Sequence, residues 1–124
     1  MRTPSGETIV VLGASSKPFR YSYAAVKELA GNGYHVVAIG STSGMIGDVE
    51  IFGSMSPDTK AHTATFYLSP GHQDMYERWL TGGNVKRIIF NPGTENIPLR
   101  KKLEEAGVEV IWGCTLVMLS TGGF

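Results

Sequence analysis

The run Thr8-Ile9-Val10-Val11-Leu12-Gly13-Ala14-Ser15-Ser16-Lys17-Pro18-Phe19-Arg20-Tyr21-Ser22 passes from β-branched apolar residues to a glycine, then to small hydroxyl and basic residues. Thr8 to Leu12 shows no polar alternation, which is the pattern of a strand covered on both faces, as in parallel sheets. Gly13 ends that strand. Beyond the polar loop, Ser22 is placed to cap a helix whose Ala25, Val26, Leu29 and Ala30 share one side, and Gly31-Asn32-Gly33 terminates it. His35 to Ile39 then reads as a second buried strand stopped by Gly40. Strand, helix and strand within about thirty residues form a βαβ unit, whose crossover is nearly always right-handed.

The remaining chain extends the same alternation. Ser41 to Pro57 carries glycines and short apolar pairs without helical period, so it reads as a long connection holding a brief strand at Val49 to Phe52. Thr63 to Leu68 is the third main strand. Ser69-Pro70 opens a helix with Met75, Tyr76, Trp79 and Leu80 on its apolar side, closed by Gly82-Gly83. Lys86 to Phe90 is the fourth strand, Glu95 to Ala106 a helix with Leu99 and Leu103 facing inward, and Val108 to Trp112 the fifth strand. The tail Thr115 to Phe124 is apolar enough to pack. Five strands alternating with three clear helices predict a Rossmann-like, doubly wound α/β fold. Its sheet is expected to be mainly parallel and five-stranded, in order 3-2-1-4-5, with helices on both faces.

At 124 residues the chain suits one domain spanning positions 1–124, since two independent cores would each be marginal in size. A hydrophobic share of 42% with 18% charged residues is that of a globular protein. Eleven basic residues balance eleven acidic ones, so no long-range field draws in nucleic acid or an anionic membrane. Any phosphate must be held locally. The lone Cys114 makes no internal disulfide, and no signal-peptide pattern opens the chain, which makes the cytoplasm the expected compartment. Apolar runs such as Ile9 to Leu12 and Leu116 to Leu119 fall far short of the ~20 residues that cross a bilayer.

In open α/β sheets, ligands settle beyond the carboxyl ends of the strands where the strand order reverses, here expected at the loops after strands one and four. Gly13 lets the chain turn off the strand, and the amides of Ala14, Ser15 and Ser16 are placed to face a diphosphate near the N-terminus of the next helix. The loop lacks the second and third glycines of G-x-G-x-x-G. Where an NAD site usually has Asp or Glu at the end of the second strand, this chain has Gly40, Ser41 and Thr42. That disfavours NAD and tolerates a phosphorylated ribose, as in NADP or the 3′-phosphate of coenzyme A. The expected binding loop runs from Gly13 to Ser22, with Ser22 among its candidate contacts and Lys17 and Arg20 as the phosphate partners at hand; as exposed loop cations those two equally suit simple solvation.

The stretch from Val11 to Ser22 resembles the opening motif of the small stand-alone CoA-binding proteins of bacteria and archaea, relatives of the CoA-binding domain in the α subunit of succinyl-CoA synthetase. The likeness runs nearly end to end, through Val36-Val37-Ala38-Ile39-Gly40, Thr65-Phe66-Tyr67-Leu68, Ile89 to Asn96 and Gly113-Cys114-Thr115-Leu116. The resemblance implies coenzyme A or an acyl-CoA lying across the carboxyl edge of the sheet. Its diphosphate would rest on Gly13, Ala14, Ser15 and Ser16 with Arg20 close by. The adenosine end would approach Gly40, Ser41 and Thr42, while Leu68, Ser69, Pro70, Asn91 and Pro92 border the pantetheine. Many relatives have an Asn-Pro turn after the second strand; here Gly40-Ser41 stands instead. In the synthetase a second domain carries a phosphorylated histidine, and a further subunit handles the nucleotide. Before any such domain, this chain has reached Phe124, so ligase activity would require partners.

Other residue sets favour plainer roles. His35, His62 and His72 are far apart and have no metal-ligand spacing. Cys114 reads first as a small buried thiol, with a mixed disulfide to coenzyme A as the alternative. No serine lies in G-x-S-x-G, and Glu95, Glu104 and Glu105 read as helix polarity rather than as paired acid and base. Trp79 and Trp112 are core or edge packing, or a homodimer contact shared with the tail. The leading expectation is therefore a non-catalytic coenzyme A or acyl-CoA binding module. An NADP-binding oxidoreductase-like or redox subunit is the rival, and an assembly domain whose site has decayed is the third reading.

Overall fold

A computed structural model describes residues 3–124. Seven strands form one sheet: β1 (Thr8–Leu12), β2 (His35–Ile39), β3 (Gly44–Ile46), β4 (Val49–Phe52), β5 (Ala61–Phe66), β6 (Val85–Phe90) and β7 (Glu109–Trp112). Their spatial order is β3-β4-β2-β1-β5-β6-β7. All neighbours are parallel except β3 with β4, where Gly44 faces Ile51 and Ile46 faces Val49. The helices are α1 (Tyr21–Gly31), α2 (Glu77–Thr81), α3 (Ile97–Glu105) and α4 (Thr115–Ser120). Among the described residues no helix is long and apolar enough to cross a membrane.

The five-stranded order 3-2-1-4-5 needs correction. The strand at Ala61–Phe66 lies beside β1, with Ile9 opposite Thr63 and Leu12 opposite Phe66, not outside β2. The place outside β2 is taken by the short β4, which pairs Ala38 with Ile51 and Ile39 with Phe52. With that edge filled, the chain must cross to the other side of β1. Counting β4 as third restores the doubly wound order 3-2-1-4-5-6 for the parallel strands, with β3 added as an antiparallel edge. The order therefore reverses between β1 and β5, so the crevice opens at the loops following those two strands.

Each face of the sheet carries its own apolar layer. Ile9, Val11 and Ala38 pack under Val26 and Leu29 of α1, with Met118 and Leu119 of α4 beside them. Val10, Leu12, Phe66 and Phe90 pack on the other face against Leu80 of α2 and Leu99 and Leu103 of α3. Such fully buried side chains each contribute about 1.5–3 kcal/mol relative to exposure. The hairpin β3–β4 stands where a crossover helix would be expected, so coverage stops short there: Met45 and Phe52 remain 54% and 50% exposed.

Three helix details differ from the sequence pattern. α1 starts at Tyr21 with Arg20 as its N-cap residue, so Ser22 is inside the first turn and buried rather than capping. The segment after Ser69 is two 3₁₀ turns, Pro70–His72 and Asp74–Tyr76, before a short α2. That break turns Met75 outward, 77% exposed. α3 begins at Ile97, capped by Asn96 Oδ1, which accepts the Leu99 amide at 3.1 Å.

Candidate functional site

The loop after β1 is clamped by its neighbours. Gly13 adopts φ +100°, and a Cβ there would stand 2.9 Å from the Tyr67 carbonyl carbon, so only glycine lets the turn sit against the end of β5. Gly40 at the end of β2 is equally constrained, because a Cβ would collide with the Ala14 carbonyl oxygen. The Gly13 and Ala14 amides both donate to the Ile39 carbonyl, at 2.9 and 2.8 Å. The Ala14 amide is therefore committed to the fold, contrary to the sequence expectation that it faces a ligand.

The next donors are left open. Among the described residues no acceptor takes the amides of Ser15 and Ser16; Lys17 N–H donates to Ser15 Oγ at 3.2 Å, and Arg20 N–H to the Lys17 carbonyl at 3.0 Å. The intrahelical bonds of α1 begin with Tyr23 and Ala24 donating to the Arg20 carbonyl, so the amides of Tyr21 and Ser22 are open as well. No acidic side chain occupies the first turn of this 11-residue helix. Open amides at the positive end of a helix dipole favour an anion.

These groups border a cavity of about 500 Å³ on the carboxyl edge of the sheet. Its lining takes in Gly13, Ala14, Ser15, Ser16, Tyr21 and Ser22, with Lys17 and Arg20 as exposed cations. Ser41 and Thr42 close one end, and Tyr67, Leu68 and Ser69 with Pro92, Gly93 and Thr94 form the other. No carboxylate is in this lining. The Arg20 guanidinium lies 5.6 Å from the centre of the exposed Phe19 ring.

Gln73, fully buried, holds the far end in shape. Its Nε2 donates to the carbonyls of Leu68 and Thr94, at 2.9 and 2.7 Å, and its Oε1 accepts from Asn96 Nδ2 at 3.0 Å. One amide thus ties the loop after β5 to the loop after β6. Beneath them Asn91 donates to Thr65 Oγ1 and the Phe66 carbonyl and accepts from the Thr115 amide at 2.9 Å. Ser69 Oγ and His72 Nδ1 stand 2.9 Å apart across an exposed turn.

Tyr67 was not anticipated as a site residue. Tyr67 lines the cavity, and its hydroxyl is buried with no hydrogen-bond partner among the described residues. Burial pushes the phenol up to about 12; the nearby Thr115 and Thr65 hydroxyls temper the shift without bonding geometry, and the Cys114 thiol adds to it. The phenol is neutral at physiological pH.

Of the expected site residues, Gly13 to Lys17, Arg20, Ser22, Ser41, Thr42, Leu68, Ser69 and Pro92 all line this one cavity. Gly40, Pro70 and Asn91 do not: Gly40 supports the loop from behind, Pro70 is on the exposed turn, and Asn91 is buried in the network below Pro92. Tyr21, Tyr67, Gly93 and Thr94 join the lining without having been expected. Gly93 and Thr94 fall within the Asn91 to Asn96 segment, a usable signal, whereas Tyr67 was hidden by placing the strand end at Leu68.

A family model described as a CoA binding domain matches residues 7–120. The chain belongs to the CoA binding domain family. Among solved structures similar to this domain is a crystal structure of an uncharacterized protein, 35% identical, with a TM-score of 0.90 over 98% of this chain and 100% of that one. A conserved hypothetical protein from Pyrococcus furiosus is 26% identical, with a TM-score of 0.74 over 90% of this chain and 97% of its own. A cell-free protein from Thermus thermophilus, 21% identical with a TM-score of 0.79 over 96% and 91% of the two chains, shares the fold. No curated protein sequence matches the chain significantly. Membership supports coenzyme A binding in general for this domain.

Proposed function

We propose that this CoA binding domain holds coenzyme A, free or acylated, in the cavity between the loops after β1, β5 and β6, and that it does so without catalysing a reaction. The observation that carries the reading is the convergence of the open Ser15, Ser16, Tyr21 and Ser22 amides with Lys17 and Arg20 on a lining that contains no carboxylate. That donor set suits a diphosphate, with the adenosine toward Gly40, Ser41 and Thr42. The pantetheine then runs between Leu68 and Ser69 on one side and Pro92 on the other. The Ser41 and Thr42 hydroxyls suit a phosphorylated ribose, which also keeps NADP as the second reading; NAD is disfavoured for want of an acidic ribose partner.

Calorimetry with coenzyme A, dephospho-CoA, NADP and NAD tests this directly. Coenzyme A is expected to bind most tightly, dephospho-CoA more weakly and NAD not at all. No heat from coenzyme A at millimolar concentration removes the reading. Tighter binding of NADP than of coenzyme A replaces it with the rival.

A further inference from the structure

Of the two cations in the cavity lining, Arg20 has an aromatic partner. Its guanidinium carbon lies 5.6 Å from the centre of the Phe19 ring, within the ~6 Å reach of a cation–π contact. Among the described residues no carboxylate pairs with Arg20. Phe19 itself is 78% exposed and, unlike Lys17 and Arg20, does not line the cavity. The backbone beneath the pair is tied down. Arg20 N–H donates to the Lys17 carbonyl at 3.0 Å, and the Arg20 carbonyl accepts the amides of Tyr23 and Ala24 at 3.1 and 3.4 Å as α1 begins. The freedom that remains is that of the long Arg20 side chain, whose rotamers can carry the charge away from the cavity unless something holds it.

The kind of partner matters as much as its presence. A carboxylate would take the N–H donors at the guanidinium rim and cancel the charge. An aromatic face covers only the flat side of the group, and leaves both the donors and the charge free for a phosphate. Two other stacked arginines give the contrast. Arg87, over the Phe124 ring, has all three guanidinium nitrogens hydrogen-bonded, and Arg100, over Trp112, pairs with Glu104 at 3.5 Å. Arg20 has the ring without such a competitor, and it stands on a ligand cavity whose lining contains no carboxylate. We infer that Phe19 is a positioning residue: its ring holds the Arg20 guanidinium at the cavity wall, and so strengthens binding of a phosphate-bearing ligand that the ring does not itself touch. This rests on the assignment of the cavity to coenzyme A.

A cation–π contact at an exposed site is worth about two- to fivefold in an equilibrium constant. The test is calorimetry with coenzyme A on the natural chain, on Phe19→Ala, Phe19→Leu, Phe19→Tyr and Arg20→Ala, and on the Phe19→Ala, Arg20→Ala double variant, with the thermal midpoint of each. Phe19→Ala and Phe19→Leu should both weaken binding about threefold, leucine because it restores bulk without a π face, and Phe19→Tyr should bind as the natural chain does. Where Arg20 is already alanine, Phe19→Ala should cost nothing more, because the ring acts only through the guanidinium. None of the midpoints should move. An equal loss in the Arg20→Ala background overturns the inference and shows the ring meeting the ligand itself; a loss accompanied by a lower midpoint overturns it in favour of a purely structural role. Coenzyme A binding with no effect at Phe19 overturns it too, and leaves the cavity assignment standing. No binding by the natural chain removes the cavity assignment and the role of Phe19 together.

Discussion

The two ends of the sheet treat polar groups in opposite ways. At the amino end Arg87 is 3% exposed within β6, and each of its three guanidinium nitrogens donates a hydrogen bond. Nε donates to Thr63 Oγ1 at 3.0 Å, Nη1 to the Phe124 carbonyl at 2.8 Å and Nη2 to Thr3 Oγ1 at 2.8 Å, while the Phe124 ring stacks 4.6 Å from its charge. The residues nearest both ends of the described chain are stapled there, and Thr3 itself donates to the Phe124 carbonyl. At the carboxyl end the backbone is held just as firmly by Gly13, Gly40, Gln73 and Asn91, yet the Ser15, Ser16, Tyr21 and Ser22 amides stay open and two cations stand exposed beside them. Polar groups that are buried and paired serve stability; polar groups that are held rigid and unpaired are available to a ligand.

The sharpest way to break this contrast is to remove the staple. Arg87→Met keeps the aliphatic bulk but takes the guanidinium donors from Thr3 Oγ1 and Thr63 Oγ1 and leaves the Phe124 carbonyl with its Thr3 donors alone, and should cost about 3 kcal/mol of stability. For a domain of this size that lowers the thermal midpoint by roughly 10 °C or more in calorimetry. Coenzyme A affinity of the folded protein should stay within about twofold of the natural chain, since the staple lies at the other end of the sheet. A variant of unchanged stability that binds poorly would reverse the two ends' roles.

A smaller effect of the opposite kind is expected at Arg20. Arg20→Ala removes an exposed charge and should weaken coenzyme A binding about tenfold, ~1.4 kcal/mol, with a shallower salt dependence. Its thermal midpoint should not move. A shift in stability with intact binding would show Arg20 to be a helix-capping element and not a ligand partner.

The smallest effect concerns His62, beside the staple. Burial, then the Arg87 charge, hold its pKa below the usual 6.5; Lys86 adds to this, and Glu7 and Glu109 act against it. A depressed histidine value means that folding favours the neutral ring. That stability is complete above the unfolded-state value and is lost as pH falls through the folded one. The thermal midpoint should therefore dip slightly between about pH 8 and about pH 5, and His62→Gln should flatten that part of the curve. No difference between the two proteins over that range would detach His62 from the amino-end cluster.

Several features of both ends were legible in the linear chain. The unbroken apolar run Ile9 to Leu12 gave a buried parallel strand, Gly13 its sharp exit, and the loop that follows its place along one cavity with Ser15, Ser16, Lys17 and Arg20, because all of these depend on residues adjacent in sequence. The family likeness, carried by Val11 to Ser22 and Ile89 to Asn96, was legible for the same reason. The Ala14 amide could not be read correctly, since its acceptor is the carbonyl of Ile39 in another strand.

What tertiary structure alone decided involves partners remote along the chain. The four-residue β4 was expected as a brief strand inside a long connection, but its pairing with β2 made it the third parallel strand and moved β5 to the far side of β1. Arg87 fell inside the expected strand Lys86 to Phe90 and carried no sign of its role. Its three partners lie 24, 37 and 84 residues away, and only the fold brings them around one guanidinium. Gln73 likewise bonds to a loop 21 residues away, and the break it sits beside turns Met75 out of the helix pattern and into solvent. Periodicity records which face of an element is apolar, a property of neighbouring residues; lateral strand order and buried polar pairing are settled only when distant segments compete for the same space and the same hydrogen bonds.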